Sequence, residues 1–175
     1  MKLATWNVNS LAVRLPQLLD WLAANPVDVL VLQETKLSDD KFPRAEIEAS
    51  GYAVAFHGQK TYNGVALLSR GAATEVVRNI PGHDDAQARV IGGTVDGIRV
   101  IGAYIPNGQA PDSDKFIYKM RWLQALHDWL QAEMAAPSRA APAASASCRR
   151  TCRCRAPGRW GCRHRWCECR PRCRR

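Results

Sequence analysis

Hydrophobic and polar positions change period several times along this chain, and each change marks an element. Residues 2–8, KLATWNV, alternate as an opening strand that breaks at Asn7 to Ser10. Leu11, Leu15, Leu18, Leu19 and Leu22 then recur at helical spacing across residues 11–24. Asn25-Pro26 ends that helix, since the residue before a proline avoids the α region. A strand at 27–32 follows, in which Val29, Leu30, Val31 and Leu32 form an apolar run, the pattern of a strand buried on both faces. Strand, helix and strand in this order predict a β-α-β unit with parallel pairing.

A short helix is expected near 43–49, after which the pattern becomes strand-rich. YAVAFH, GVALLS, TEVVRNI, ARVIGGTV and IRVIGAYI read as short strands, with Asp96-Gly97 as a hairpin turn between the last two. Asp112 or Ser113 can cap a helix from about 114 to 133, which puts Phe116, Met120, Leu123, Leu126 and Leu130 on one face. The body is α/β, with no internal repeat.

Charge divides the chain at this point. The net charge is +9, yet residues 1–136 hold 13 Lys+Arg against 15 Asp+Glu, while residues 137–175 hold 12 Arg and one acid, Glu168. A basic protein overall is therefore a slightly acidic body followed by a basic tail. The tail also carries all seven cysteines and contains no Val, Leu, Ile, Met, Phe or Tyr. Without aliphatic side chains it cannot bury enough surface to offset chain entropy, so it is expected to be disordered. Its Arg, Ala, Pro, Gly, Cys and Trp suit G/C-rich codons read out of frame, which predicts a frame slip near residue 136. Cys152/Cys154 and Cys167/Cys169, with His164 nearby, raise zinc binding, but the spacings match no common zinc module and the arginines oppose a cation. Twelve arginines would also bind DNA or RNA phosphates without specificity, an alternative function of a different class.

The body has no cysteine, which suits a reducing cytosol, and a cytoplasmic location is expected. No apolar run approaches the roughly 20 residues of a membrane span, so no membrane partner is expected. The first residues lack the pattern of a signal peptide.

Three constellations carry candidate chemistry. WNVNS and LQETK place Asn7 and Glu34 at the ends of neighbouring parallel strands, where α/β proteins put ligands. A carboxylate and an amide oxygen are hard ligands for Mg²⁺ or Mn²⁺; the plain alternative is a glutamate paired with Lys36 or solvent. FHGQKTYNGVALLSR puts Gln59, Lys60, Tyr62 and Asn63 in a polar loop that suits phosphate contacts or is simply a hairpin turn. GAYIPNGQ puts the Tyr104 phenol and the Asn107 amide on one loop, where they can meet a phosphoryl oxygen or merely plug it.

Together NVNS, LQETK, GYAVAFHGQK with NGVALLS, ARVI and YIPNG resemble the exonuclease III family of DNA-repair nucleases, within the endonuclease/exonuclease/phosphatase superfamily. The resemblance runs from Met1 to about Ala135. It implies half of a layered α/β sandwich, mixed sheets flanked by helices, and a monomeric metal-dependent phosphodiesterase. Its substrate would be double-stranded DNA, cut beside abasic sites or from 3′ ends. By the same resemblance Glu34 is the main metal ligand, Asn7 a metal-site or phosphate residue, and Tyr104 the active-site tyrosine. Asn107 and Lys36 lie on the phosphate side, Tyr62 and Arg89 contact DNA, and Asn9 stands where relatives often carry an acid. The second half of such a domain would bring Gly-Asp-x-Asn and Ser-Asp-His, and neither occurs in this sequence. Two expectations follow: little or no nuclease activity for the chain as written, and an exposed apolar inner face on its first sheet.

Overall fold

The computed structural model describes residues 1–111 and 113–136. The arginine- and cysteine-rich tail with its Cys-x-Cys pairs and His164 lies outside the described residues, as does Asp112.

The opening β-α-β unit forms as its periodicity requires. β1 (Leu3–Asn7) and β2 (Val29–Gln33) pair in parallel on either side of α1 (Leu11–Ala24), with Leu3 opposite Val29 and Asn7 opposite Gln33. A 3-10 turn (Asp39–Lys41) and α2 (Arg44–Ala49) lead to β3 (Ala53–His57) and β4 (Val65–Ser69). Both pair antiparallel, giving a first sheet in the order β1-β2-β4-β3. β5 (Thr74–Arg78), β6 (Val90–Val95) and β7 (Ile98–Ala103) form a second, antiparallel sheet. Its tight turn uses Asp96 and Gly97, both at positive φ, as the hairpin signal demands. α3 (Asp114–Ala135) closes the described chain, capped by Ser113, whose hydroxyl accepts from the Phe116 N–H at 3.1 Å.

β2 shows why its sequence is apolar throughout. Leu30 and Leu32 pack toward α1 with Leu11, Leu18 and Leu22, whereas Val29 and Val31 pack with Val65, Leu67, Ile91 and Val100 between the sheets. Each such side chain stabilises the fold by about 1.5–3 kcal/mol when fully buried. The layers run α1, first sheet, second sheet, α3.

Two expectations are corrected here. The inner face of the first sheet is not laid open, because β5, β6 and β7 supply a facing sheet; exposure is confined to its β1 margin, where Leu3 is 60% exposed. The packed face of α3 is different in part. Leu123 and Leu126 pack as expected, but the buried centre is Trp122 and Trp129, with Tyr118 and Ala125 beside them, while Phe116 and Met120 remain exposed. Gly92 on β6 is the reason: a Cβ there would come within 3.3 Å of Trp129 Cη2, so the missing side chain makes room for the indole. Among the described residues no helix is long and apolar enough to cross a membrane.

Candidate active site

The carboxyl ends of β1 and β2 lie side by side, and the loops leaving them are stitched together by backbone hydrogen bonds. Ser10 and Leu11 N–H groups donate to the carbonyls of Glu34 and Thr35 at 2.8 and 3.0 Å, so the start of α1 is satisfied by this loop and not by a side-chain cap. From the other side, Thr35 and Lys36 N–H groups donate to Gly64 and Asn63 carbonyls at 3.1 and 3.0 Å. Held from both directions, Asn9, Glu34 and Lys36 adopt left-handed φ of 44°, 55° and 55°. Such conformations cost of order 1–3 kcal/mol each in a non-glycine residue and persist where the surroundings over-determine them. With Ser10 at 96°, four of the ten non-glycine residues at positive φ among the described residues lie in these two adjoining loops.

Glu34 is the centre of what gathers there. Its Oε1 accepts from Asn7 Nδ2 at 2.7 Å and from the Tyr104 hydroxyl at 2.9 Å, and its Oε2 lies 3.3 Å from Lys36 Nζ. Lys36 also donates to Asn9 Oδ1 at 2.5 Å. The Asn7 hydrogen bond is the strongest influence holding the Glu34 carboxyl below the usual carboxylate range, aided by Tyr104 and Lys36 against the opposing effect of burial. Burial first, and the neighbouring carboxylate second, push the Tyr104 phenol above its ordinary value. At neutral pH the pair is thus a carboxylate and a protonated phenol, an acceptor and a donor. Residues 70 positions apart in sequence share one cleft.

Arg89 joins through Tyr104. Its guanidinium lies 4.9 Å from the centroid of the phenol ring, and its Nη1 donates to the Tyr104 carbonyl at 3.2 Å. A chain of polar groups behind it has no sequence pattern to announce it. Arg89 Nε donates to Gln87 Oε1 at 2.8 Å, Gln87 N–H to Asp85 Oδ1 at 2.9 Å, and the Tyr118 hydroxyl to Asp85 Oδ2 at 2.8 Å. Burial, then Asp85, push Tyr118 up to about 12. A raised folded pKa means a contribution complete below the unfolded value of about 10 and lost as pH rises toward about 12. Tyr118→Phe should therefore flatten the loss of stability between these pH values, read from urea midpoints; an unchanged alkaline limb would contradict the Asp85 contact.

Two expected residues stand outside this hydrogen-bonded cluster. Asn107 accepts from the Gln109 N–H at 3.0 Å within its own loop, and Tyr62 projects with 67% exposure. The loop around Gln59 is part structural: Gln59 Oε1 accepts from Asn63 Nδ2 at 2.8 Å and the Ala88 N–H at 3.1 Å, and Asn63 is buried. Lys60 and Tyr62 are its exposed members.

Residues 4–144 match the model of the endonuclease/exonuclease/phosphatase family. The chain belongs to this family. It is 34% identical over 139 residues to exodeoxyribonuclease III of Haemophilus influenzae, an alignment covering 76% of this chain and 52% of that protein. Among solved structures it resembles a 3′ phosphatase from Neisseria bound to a product DNA hairpin, at 53% identity and a TM-score of 0.75, over 77% of this chain and 52% of that one. It also resembles an AP endonuclease from Archaeoglobus fulgidus, at 40% identity and a TM-score of 0.73, over 75% and 51%. The chain spans about half the length of each relative.

Whether this family member's residues suit a divalent cation depends on the donors present. Among the described residues, no three His, Cys, Asp or Glu side chains gather where they could hold one. Glu34 alone offers an ionised carboxylate, and Asn7 turns its Nδ2 to Glu34 and its Oδ1 to the Asn9 N–H at 3.1 Å. One carboxylate beside an amide suits Mg²⁺ or Mn²⁺, which fill most of their coordination with water and phosphate oxygens. It would not suit zinc, which asks for three or four protein ligands.

Proposed function

We propose that this chain carries the cation- and phosphate-binding half of a DNA phosphodiesterase of exonuclease III type, acting on duplex DNA at abasic sites or 3′ ends. The observation that carries the reading is the convergence of Asn7, Lys36 and Tyr104 on the Glu34 carboxylate at adjacent strand ends. The names of the Haemophilus and Archaeoglobus relatives and the DNA hairpin on the Neisseria one support the choice of substrate.

Glu34, with Asn7 at its side, would hold Mg²⁺ or Mn²⁺. The cation, when bound, supplies Lewis-acid neutralisation of phosphate charge. Every other part falls to the chain's own groups. Tyr104 keeps its proton at neutral pH and would turn its one O–H hydrogen bond from Glu34 to a phosphoryl oxygen as negative charge builds there. Lys36 shares its charge between Glu34, Asn9 and a phosphate. Arg89 holds the Tyr104 ring and faces DNA, with Tyr62 and Asn107 contributing from their loops.

In-line hydrolysis also needs a base for the attacking water. Glu34 is ill suited, because its hydrogen bonds stabilise the ionised form and leave it a weak base. With no Gly-Asp-x-Asn or Ser-Asp-His in the sequence, this chain should bind substrate and turn over little or none.

An abasic duplex incubated with the 175-residue protein tests both parts. Cleavage should stay at background with Mg²⁺ present; sustained turnover abolished by Glu34→Ala would overturn the inactivity. Duplex binding should strengthen on replacing EDTA by Mg²⁺, and Glu34→Gln should remove that increment. Binding indifferent to both would assign DNA affinity to the twelve tail arginines and sink the nuclease reading.

A further inference from the structure

Arg89 stands at the end of a hydrogen-bonded chain that begins on α3. Tyr118, in the second turn of that helix, donates its hydroxyl to Asp85 Oδ2 at 2.8 Å. Asp85 Oδ1 accepts from the Gln87 N–H at 2.9 Å, and the Asp85 carbonyl accepts from Asn79 Nδ2 at 2.9 Å. Asn79 Oδ1 in turn accepts from the Arg89 N–H at 3.3 Å, so the loop between β5 and β6 is held through its own backbone. Gln87 then presents Oε1 to Arg89 Nε at 2.8 Å, and Asn63 Nδ2 reaches the same oxygen at 3.4 Å.

Arg89 and Tyr104 face each other just beyond the last β6–β7 pair, Val90 with Ala103, and the Tyr104 N–H donates to the Arg89 carbonyl at 2.7 Å. From there the arginine side chain crosses to the phenol ring, with Nη1 on the Tyr104 carbonyl at 3.2 Å. A guanidinium is planar, so fixing Nε and Nη1 fixes the direction of its other N–H donors. Burial pushes the Tyr104 and Tyr118 phenols up, and the Arg89 charge works against it at both. Tyr118 thus touches the Asp85 carboxylate and lies close to the Arg89 charge at once. Without its hydroxyl, that carboxylate loses a donor beside a cation with which it can form two parallel hydrogen bonds. An arginine paired in that way is neutralised and turned from any phosphate.

We propose that Tyr118 and Asp85 are positioning residues for Arg89: the phenol occupies the Asp85 carboxylate and so keeps the guanidinium available to a DNA phosphate beside Tyr104. Neither residue touches DNA in this role; both act through Gln87 and Arg89. A part-buried carboxylate is a poor means of stability alone, since apolar side chains would fill the space as well. Its value here lies in keeping Gln87 in register with Arg89. The shared contact of Gln87 with Asn63 extends the same control to the loop that exposes Lys60 and Tyr62. The role rests on the nuclease reading and adds to it two residues outside the Glu34 cluster.

The test measures binding of an abasic duplex by the 175-residue chain in EDTA over a range of salt concentrations. The tail arginines act alike in every variant, so differences in salt dependence belong to the body. Arg89→Ala should reduce the slope of log K against log salt by about 0.9, the value of one phosphate contact. Tyr118→Phe should reduce it equally, and the two together by no more than either alone. Asp85→Asn keeps an acceptor for the Gln87 N–H without the charge, so it should restore the slope in the Tyr118→Phe background. Additive losses for Tyr118→Phe and Arg89→Ala, a slope indifferent to either, or no restoration by Asp85→Asn overturns the proposal. A phenol that merely supports the fold would lower urea midpoints and leave the slope in place, which overturns it as well. The Mg²⁺ increment lost in Glu34→Gln reports on the nuclease reading separately, so the two failures are told apart.

Discussion

Gly64→Ala should destabilise the protein by roughly 2–5 kcal/mol and dismantle the cluster around Glu34 in the same step. Two penalties combine at this position. Gly64 has a φ of 86°, in the left-handed region, which costs a residue with a Cβ about 1–2 kcal/mol. An added Cβ would also come within 2.2 Å of Thr35 Oγ1 and 3.3 Å of the Lys36 N atom. Thr35 is fully buried and β-branched, so its side chain has nowhere to swing. The clash must be relieved by moving the backbone that carries Glu34 and Lys36, at a further cost of about 1–3 kcal/mol. Gly51→Ala is the matched comparison, because Gly51 has a φ of 88° with nothing within 4 Å of the added carbon. It should lose only the backbone penalty. Urea midpoints for the two variants separate the contributions, and equal losses would show that the Thr35 contact yields freely.

The contrast between Gly64 and Thr35 also shows where sequence reading stops. The opening unit was legible because β1, α1 and β2 each hold one period long enough to recognise, and the turn at Asp96-Gly97 because its dipeptide has a local conformational cause. α3 was legible as a helix, and Leu123 and Leu126 of its expected face do pack. Its buried centre at Trp122 and Trp129 was not legible, because room for Trp129 is made by a glycine on β6 more than 30 residues away. The pairing of Glu34 with Tyr104 was accessible through the family resemblance, since spacing alone left each residue with a plain alternative. Asp85 and Gln87 had no such help. They are single polar residues in a loop, and their roles arise from contacts with Arg89 and Tyr118 that no periodicity encodes. Gln59 and Asn63 were left open between a phosphate surface and a hairpin turn, and these two amides spend hydrogen bonds on each other and on the Gln87-Ala88 segment that leads into β6.

Glu34→Gln should lower Mn²⁺ affinity by about a hundredfold or more, the other large effect expected of a single substitution. A neutral amide of the same shape keeps an oxygen but removes the charge, and no other carboxylate among the described residues shares the site to compensate. The measurement is the loss of free Mn²⁺ signal on titration with protein, which requires no catalysis. Acid dependence gives an independent check on the assignment. The Glu34 carboxyl is held below the usual carboxylate range, first by Asn7, so protons should displace Mn²⁺ only at a pH below that range. Asn7→Ala or Tyr104→Phe removes a donor to the carboxylate, lets its pKa rise, and should move that displacement to higher pH. Stability follows the same sign. A depressed carboxylate contributes fully above its unfolded pKa and loses that contribution as pH falls through the folded one, so this part of the acid limb should vanish in Glu34→Gln. If Mn²⁺ binding survives Glu34→Gln, or its acid limit ignores Asn7 and Tyr104, the carboxylate serves only to anchor Lys36 and the cation belongs elsewhere.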